Sequence, residues 1–255
     1  MSARLELRGV WRCFGGVAAL TDVSFVVPAG AVTGLIGPNG SGKTTLMNVV
    51  SGVDAPTEGE VLLDGAPVHG LPAHRLVRRG VARTFQHIRL IPRLSVVENV
   101  ALALYAPQAS LADVFLRLPR LGRVERARRE KARALLDEVG LDHDGDRPAG
   151  DLSYGDRRRV EIARALASNP SLLLLDEPAA GMTHAERGAL GGLIRALPAR
   201  GVTVVLVEHD MDLVMDVSDE LRVLNQGRAI ASGSPKQVRS DPRVIEAYLG
   251  TDDDA

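Results

Sequence analysis

The chain has 255 residues, of which 45% are hydrophobic, and this is enough apolar material for one large core with a subdomain. A formal net charge of -1 removes the basic surplus that nucleic-acid binders usually carry, so we expect no nucleic-acid partner. The single cysteine, Cys13, excludes an internal disulfide and fits a reducing compartment. No stretch reaches the roughly 18 consecutive apolar residues of a membrane helix. We therefore expect any membrane role to come through a partner.

The first third of the chain is rich in strand patterns. Residues 4–10 alternate apolar and polar, residues 23–27 form an apolar run, and residues 58–65 form a strand-like run that ends in an Asp-Gly turn. We predict two short strands before residue 28. The apolar run at 32–36 then leads into a glycine-rich turn and an apolar-periodic segment, which predicts a strand, a loop and a helix.

The pattern becomes helical from about residue 95 to residue 167. Residues 111–118 are amphipathic, and a charged helix is predicted at 124–139, ended by Gly140. The arginines of this helix are interspersed with acidic residues, which favours a solvated face with i,i+4 ion pairs over a lipid or nucleic-acid patch.

Strands resume after the helical region. The leucine run at 172–175 is typical of a parallel strand buried on both faces, and residues 202–210 predict a second buried strand. A helix at 184–197 lies between them, and a hairpin at 222–230 and a helix at 242–249 follow. The alternation of strands and helices predicts a parallel α/β core with a helical insertion.

One segment has a specific motif. The sequence GPNGSGKT at 37–44 fits the pattern GxxxxGK[ST]. A strand that feeds a glycine-rich turn and then a helix directs backbone N–H groups and the positive end of the helix dipole at one point, which suits a triphosphate. Lys43 is expected to reach the β and γ phosphates, and the Thr44 hydroxyl to contact Mg²⁺. The predicted nucleotide contacts are Gly37, Pro38, Asn39, Gly40, Ser41, Gly42, Lys43, Thr44 and Thr45.

A second motif places two carboxylates at the end of a buried strand. In LLLLDEP (172–178), Asp176 and Glu177 are expected to face the phosphate loop, because ligands of open α/β sheets bind at the carboxyl ends of strands. Burial of two adjacent acids is costly without a cation or hydrogen bonds, and a Mg²⁺ held by Asp176, directly or through water, would supply the charge. Glu177 would then polarise the attacking water. The alternative is an acidic helix start after a strand.

A third motif, LSYGDRRRVEIARAL at 152–166, joins a serine and a glycine to an amphipathic helix. Ser153 is a good N-cap with Asp156 at the third helical position. A helix start with exposed N–H groups is also an anion site. The structural and the functional interpretation are compatible.

These motifs, with Gln86 after VARTF and His209 in VEHD, occur in the order found in ATP-binding cassette (ABC) ATPases, and the chain resembles that family over essentially its whole length. The resemblance implies an α/β fold, a P-loop NTPase RecA-like core with an N-terminal antiparallel β region and a helical subdomain. We expect the core at 1–87 and 161–255, and the subdomain at 88–160. It also implies two cassettes arranged head to tail, with each ATP between one chain's phosphate loop and the partner's LSYGD segment.

The resemblance assigns roles to individual residues. Gln86 resembles the glutamine that touches Mg²⁺ and the attacking water. His209 resembles the histidine that holds the γ-phosphate and links it to Glu177, and Ser153 and Gly155 would contact the γ-phosphate of the other protomer. The implied catalytic residues are Lys43, Gln86, Glu177 and His209, and the implied metal contacts are Thr44, Gln86 and Asp176.

The resemblance also implies that an aromatic residue near the N-terminus stacks on the adenine base of ATP. Phe14 resembles the residue that stacks on the base, with Trp11 as the alternative. Cys13, beside Phe14, is predicted to be a small packed residue.

Two segments depart from the common family pattern, at three positions. The most frequent signature is LSGGQ, and here Tyr154 and Asp156 replace its third and fifth residues, which brings a negative charge near a phosphate. Thr183 stands where many relatives carry aspartate, which puts communication between the two nucleotide sites in doubt.

Four further segments narrow the resemblance, and they lie at 81–100, 176–182, 207–215 and 244–250. They are similar to the cytoplasmic ATPase subunits of branched-chain amino acid importers, while ATPases for urea or amide import and for lipopolysaccharide export share several of them. The resemblance implies ATP and Mg²⁺ as cofactors. It implies permease subunits and a second ATPase chain as partners, with a solute-binding protein as an indirect partner. It also implies a peripheral location at the cytoplasmic face of the membrane. We expect the permease contact near residues 86–100.

Two other classes of protein fit the motifs less well. A soluble ABC protein acting on ribosomes or DNA usually has two cassettes in one chain or a long coiled coil, and this chain has neither. A P-loop kinase or GTPase would give LSYGD and His209 no role, and the chain contains no NKxD-type guanine reader.

Overall fold

The computed structural model describes residues 2–85, 88–104 and 121–249. The chain forms two compact units. The first consists of Met1–Arg83, Ser171–Ala180 and His184–Ala255, and the second of Thr84–Pro170 and Gly181–Thr183. The domain boundaries expected from the sequence stay a prediction.

The described elements follow one another in a strand-rich, then helical, then alternating order. In chain order they are β1 (Leu5–Phe14), β2 (Val17–Val27), β3 (Val32–Ile36), α1 (Lys43–Val50), β4 (Glu58–Leu63), β5 (Ala66–Pro67), α2 (Ala73–Arg78), β6 (Val81–Arg83), α3 (Val96–Ala101), α4 (Leu121–Glu138), α5 (Tyr154–Leu166), β7 (Leu172–Asp176), α6 (His184–Ala196), β8 (Thr203–Val207), α7 (Met211–Val217), β9 (Glu220–Asn225), β10 (Arg228–Gly233), α8 (Pro235–Arg239) and α9 (Pro242–Leu249).

The first unit contains an antiparallel sheet in the order β2-β1-β4-β5. Strands β4 and β5 are joined at Asp64 and Gly65, whose φ angles of 52° and 77° are the left-handed pair that a two-residue hairpin turn requires. The turn predicted from the Asp-Gly dipeptide is therefore confirmed.

Strands β1 and β2 are longer than the sequence predicted, at 10 and 11 residues. Their pairing shifts register between Leu7 and Val10, near Gly9, which has a φ of 54°. A bulge resets which face each side chain takes, so the alternating pattern ends although the strand continues. The prediction of two short strands was wrong for this reason.

The second sheet of the first unit has the order β10-β9-β3-β8-β7-β6. All its pairs are parallel except the β9–β10 hairpin. Every residue of β3, β7 and β8 is buried, as the continuous apolar runs predicted. One hydrophobic cluster joins this sheet to the antiparallel sheet and to α1, and it includes Leu7, Val10, Met47 and Leu174. Because β3, β8 and β7 are parallel neighbours, their carboxyl ends lie along one edge of the sheet.

The second unit is helical. Helix α3 begins at Ser95 with a capping box completed by Glu98, and α4 carries the charged face predicted from the sequence. On that face Arg129 approaches Glu125 at 3.6 Å and Glu98 at 3.0 Å. The amphipathic segment predicted at 111–118 lies outside the described residues.

Candidate active site

The carboxyl ends of β3, β8 and β7 bring residues from three distant parts of the sequence together. The glycine-rich loop follows β3, His209 follows β8, and Glu177 follows β7. They enclose a cleft of ≈ 220 Å³. The lining residues are Ala19, Asn39, Gly40, Ser41, Gly42, Lys43, Thr44, Thr45, Glu177 and His209.

The Lys43 ammonium lies inside the loop. Its Nζ donates to the carbonyl oxygens of Gly37 at 2.7 Å and Pro38 at 2.9 Å, and it lies 3.4 Å from Ser41 Oγ. Burial lowers the pKa of Lys43, while the charges of Glu177 and Asp176 raise it. A fixed ammonium beside the start of α1, whose first turn contains no acidic residue, forms a site for an anion.

Gly37 begins the loop at a position that admits no side chain. Its φ is 151°, and a Cβ there would lie 2.0 Å from the backbone oxygen of Leu224. We expect Gly37→Ala to lower the free energy of unfolding by about 3 kcal/mol, because the new Cβ would clash with the backbone of Leu224, which cannot move aside as a side chain can. It should also weaken nucleotide binding, since the loop must move. Urea unfolding and nucleotide titration measure the two effects.

Gly192→Ala is the matched control for the Gly37 substitution. Gly192 lies in α6, and a Cβ there would have nothing within 4 Å. Alanine is the better helix former by up to about 1 kcal/mol, so stability should be unchanged or slightly raised. Equal effects of the two substitutions would contradict the steric argument.

Asp176 is buried and paired. Its Oδ2 accepts from Arg83 Nη2 at 2.8 Å, and Arg83 Nη1 donates to Asn48 Oδ1 at 2.8 Å and Ser51 Oγ at 2.9 Å. The sequence reasoning named only Mg²⁺ as the balancing charge and missed Arg83. The available signal was an arginine in a short strand, β6, that pairs directly with β7.

Glu177 has an uncommon backbone conformation. Its φ is 46°, in the left-handed region that residues with a Cβ rarely adopt, and such conformations cluster at functional sites. The Glu177 N–H donates to the Val207 carbonyl at 2.8 Å. Glu177 Oε1 lies 2.9 Å from His209 Nε2. The structure thus brings together the two side chains that the family order linked.

The N-terminal aromatic lies at the end of β1. Phe14 is 44% exposed, and the Arg12 guanidinium carbon lies 4.3 Å from its ring centroid. Phe14 is not among the described residues that line the cleft, and its role toward adenine stays a proposal. Cys13 is exposed, so the prediction of a packed residue was wrong. The buried residues of β1 end at Val10. Gln86 lies outside the described residues.

The signature segment starts α5 in the second unit. Ser153 is the N-cap, as predicted, and its Oγ accepts from the Asp156 N–H at 3.1 Å. Gly155 is buried. Asp156 forms an ion pair with Arg159, one turn along the helix, which offsets the negative charge that the sequence placed here.

Helix α5 also contains a buried ion pair that the sequence reasoning missed. Arg158 Nη1 lies 2.7 Å from Glu161 Oε2, and the two side chains are 0% and 1% exposed. Arg158 Nη1 donates to the Phe85 carbonyl at 2.6 Å, and Glu161 Oε1 accepts from the Arg89 N–H at 3.1 Å. The signal was two charges at i,i+3 among apolar helix positions.

Two kinds of feature are absent from residues 2–85, 88–104 and 121–249. This part of the chain contains no cluster of three or more His, Cys, Asp or Glu side chains suited to hold a metal ion. It also contains no helix with the length and apolar character needed to span a bilayer.

Two known protein families match parts of the chain. The family described as "ABC transporter" matches residues 20–180, which is more than half of the sequence. The chain belongs to the ABC transporter family. A second family, described as "Branched-chain amino acid ATP-binding cassette transporter", matches residues 230–254. The resemblance stated from the motifs is confirmed.

Individual proteins agree with this placement. This ABC ATPase is 45% identical to the high-affinity branched-chain amino acid transport ATP-binding protein BraF of Pseudomonas aeruginosa, over 96% of this chain and 97% of BraF. The crystal structure of the ADP conformation of MJ1267, an ATP-binding cassette of an ABC transporter, has a TM-score of 0.85 at 35% identity and covers 98% of this chain and 100% of that one.

A third relative was solved as a dimer. The ATP-binding cassette MJ0796, in a post-hydrolysis state bound to ADP and Pi, has a TM-score of 0.75 at 29% identity, covering 91% of this chain and 98% of that one. The predicted fold, a P-loop NTPase core with an antiparallel β region and a helical subdomain, is confirmed by these likenesses. The chain is a nucleotide-binding ATPase.

Proposed function

We propose that this ABC ATPase hydrolyses ATP to power the import of branched-chain amino acids through partner permease subunits. The observation that carries ATP hydrolysis is the Glu177–His209 pair, 2.9 Å apart, in the same cleft as Lys43. The solute class is supported by the match of residues 230–254 and by the relationship to BraF.

Each residue of the proposed site has a separate role in binding or hydrolysing ATP. Lys43 and the N–H groups at the start of α1 bind the β and γ phosphates. Glu177 accepts the proton of the attacking water, and His209 holds the γ-phosphate and links it to Glu177. The aromatic ring of Phe14 is the proposed adenine contact.

A magnesium ion fits the donor set. Thr44 lines the cleft and Asp176 is the last residue of β7, and nucleotide-bound Mg²⁺ needs only one or two protein oxygens. Thr44, Asp176 and Gln86 would hold the ion, which when bound offsets the charge of the phosphates. The ion pair with Arg83, at 2.8 Å, fixes the position of the Asp176 carboxylate.

A second ATPase chain completes the site in this proposal. Ser153 and Gly155 at the start of α5 would contact the γ-phosphate held by the partner's loop, and either an identical chain or a paralogue can serve. The dimeric MJ0796 structure supports a paired arrangement. The ion pair of Asp156 with Arg159 makes the replaced signature residue compatible with a phosphate, because the carboxylate charge is offset.

The remaining partners lie at the membrane. We place the chain at the cytoplasmic face, docked to permease subunits near residues 86–100, with a solute-binding protein acting indirectly. Site-directed crosslinking to co-expressed permeases tests this surface. Crosslinks formed only from the opposite face of the chain would refute it.

Removal of the Lys43 ammonium should weaken nucleotide binding itself. We expect Lys43→Ala to raise the Kd for ATP by about 10- to 100-fold, since charged hydrogen bonds to phosphate are lost. Equilibrium titration with ATP and Mg²⁺ measures this. Lys131→Ala, an exposed lysine on α4, is the control and should leave the Kd unchanged. Unaltered binding by the Lys43 variant would remove it from the site.

The solute class is tested by uptake. In a strain lacking this chain, uptake of labelled leucine should be lost and should return with the wild-type chain but not with Lys43→Ala. Restored urea or amide uptake without leucine uptake, or a defect confined to lipopolysaccharide export, would favour the corresponding alternative transporter.

A further inference from the structure

The residue before His209 is a buried acid with an unusual set of partners. The Glu208 side chain is among the buried charged groups of the first unit, 5% exposed. Glu208 Oε1 accepts from the Ala179 N–H at 2.5 Å, and Oε2 accepts from the N–H of His209 at 2.9 Å and of Asp210 at 3.4 Å. One carboxylate therefore binds backbone from two separate strand ends.

These two backbone segments carry the proposed catalytic pair, Glu177 and His209. Ala179 lies two residues after Glu177, on the segment that follows β7, and His209 begins the segment that follows β8. Glu177 is held at a left-handed φ of 46°, and its N–H bonds to Val207. The Glu177–Val207 hydrogen bond joins the segment after β7 to the end of β8. The Glu208 carboxylate joins the same two parts of the chain a second time, through the N–H groups of Ala179 and His209.

We propose that Glu208 is a positioning residue that fixes Glu177 and His209 relative to each other and acts on hydrolysis through them. This inference rests on the proposed function of Glu177 and His209. Misplacement of a reacting group by about 1 Å can reduce a rate by about 10²-fold, so a rigid link between the two segments has a direct catalytic consequence.

The energetics of the site agree with a positional role. Burial raises the pKa of Glu208, the three backbone N–H groups lower it, and the charge of Glu177 raises it again. An apolar side chain would fill the same space without the desolvation penalty of a carboxylate. What an apolar side chain cannot do is accept the Ala179 and His209 N–H groups together.

Glu208→Gln is the primary test variant. The amide has nearly the same shape but only one acceptor oxygen, so its NH₂ group must face the N–H of either Ala179 or His209. We expect kcat for ATP hydrolysis to fall at least about tenfold, while KM and the Kd for ATP change less than about twofold. Asp212→Asn, an exposed acid on α7, is the control and should retain the parental rate.

A double variant separates positioning from a general loss of structure. In a Glu177→Gln background, single-turnover hydrolysis should fall by less than about twofold on adding Glu208→Gln, because the pair it positions is already disabled. A full tenfold further loss, or parental kcat in the Glu208→Gln single variant, would overturn the proposal. Failure of the proposed function gives a different result, namely parental hydrolysis by Glu177→Gln alone.

Discussion

Replacement of Glu177 by glutamine is expected to slow ATP hydrolysis by about 10²- to 10⁴-fold and to leave ATP binding intact. The amide cannot accept a proton from the attacking water, whereas the loop, Lys43 and the start of α1 are unchanged. Because ATP then persists at the site, the variant should accumulate in the ATP-bound, associated form with its partner cassette. Steady-state phosphate release measures the rate, and equilibrium titration measures the binding.

The control for this prediction is Glu60→Gln, an exposed acid on β4. It should hydrolyse ATP at the parental rate. If Glu177→Gln also retains the parental rate, the assignment of the base is wrong. If it loses binding together with hydrolysis, the left-handed backbone at Glu177 has a structural role larger than the chemical one.

Removal of the Arg158 guanidinium should strongly destabilise the second unit. Arg158→Met removes the 2.7 Å ion pair of the buried Glu161 carboxylate and leaves it only the longer contact with Arg164, at 3.6 Å. Breaking a buried pair costs about 3–5 kcal/mol, and we expect a value toward the lower end of that range because Arg164 remains. It also removes the hydrogen bond to the Phe85 carbonyl. Urea unfolding followed by circular dichroism should show a lower midpoint for this variant.

Two comparisons make the Arg158 prediction specific. The double variant Arg158→Met/Glu161→Leu should recover part of the loss, because an apolar pair of similar volume carries no unpaired charge. The recovery is partial because the Phe85 carbonyl and the Arg89 N–H lose these side-chain partners. Arg129→Met disrupts the Arg129–Glu98 pair, whose side chains are 46% and 38% exposed, and should leave the midpoint unchanged. A single Arg158 variant as stable as the parent would refute the energetic role of the buried pair.

Local patterns predicted most of the α/β core. The phosphate loop, the buried strands β7 and β8, the helix α9 and the N-cap Ser153 each follow from residues adjacent in sequence. The Glu177–His209 contact joins two segments, and only the family order of the motifs predicted it. The resemblance therefore supplied what periodicity could not.

The residues that sequence reasoning missed share a physical cause. Arg83, Glu208 and Arg158 are charged side chains whose partners lie far away along the chain or on backbone groups. A hydrophobic pattern reports which face of an element is buried, but not which distant carbonyl or N–H meets a polar side chain there. The bulge near Gly9 was missed because it breaks the alternation that defines a strand in sequence.

The most direct test of the account is the rate of ATP hydrolysis by the complete transporter in proteoliposomes, measured with the solute-binding protein in the presence and absence of leucine. Leucine should raise the rate, GTP should not replace ATP, and Glu177→Gln should abolish the increase. A rate that is indifferent to leucine and to Glu177 would contradict it.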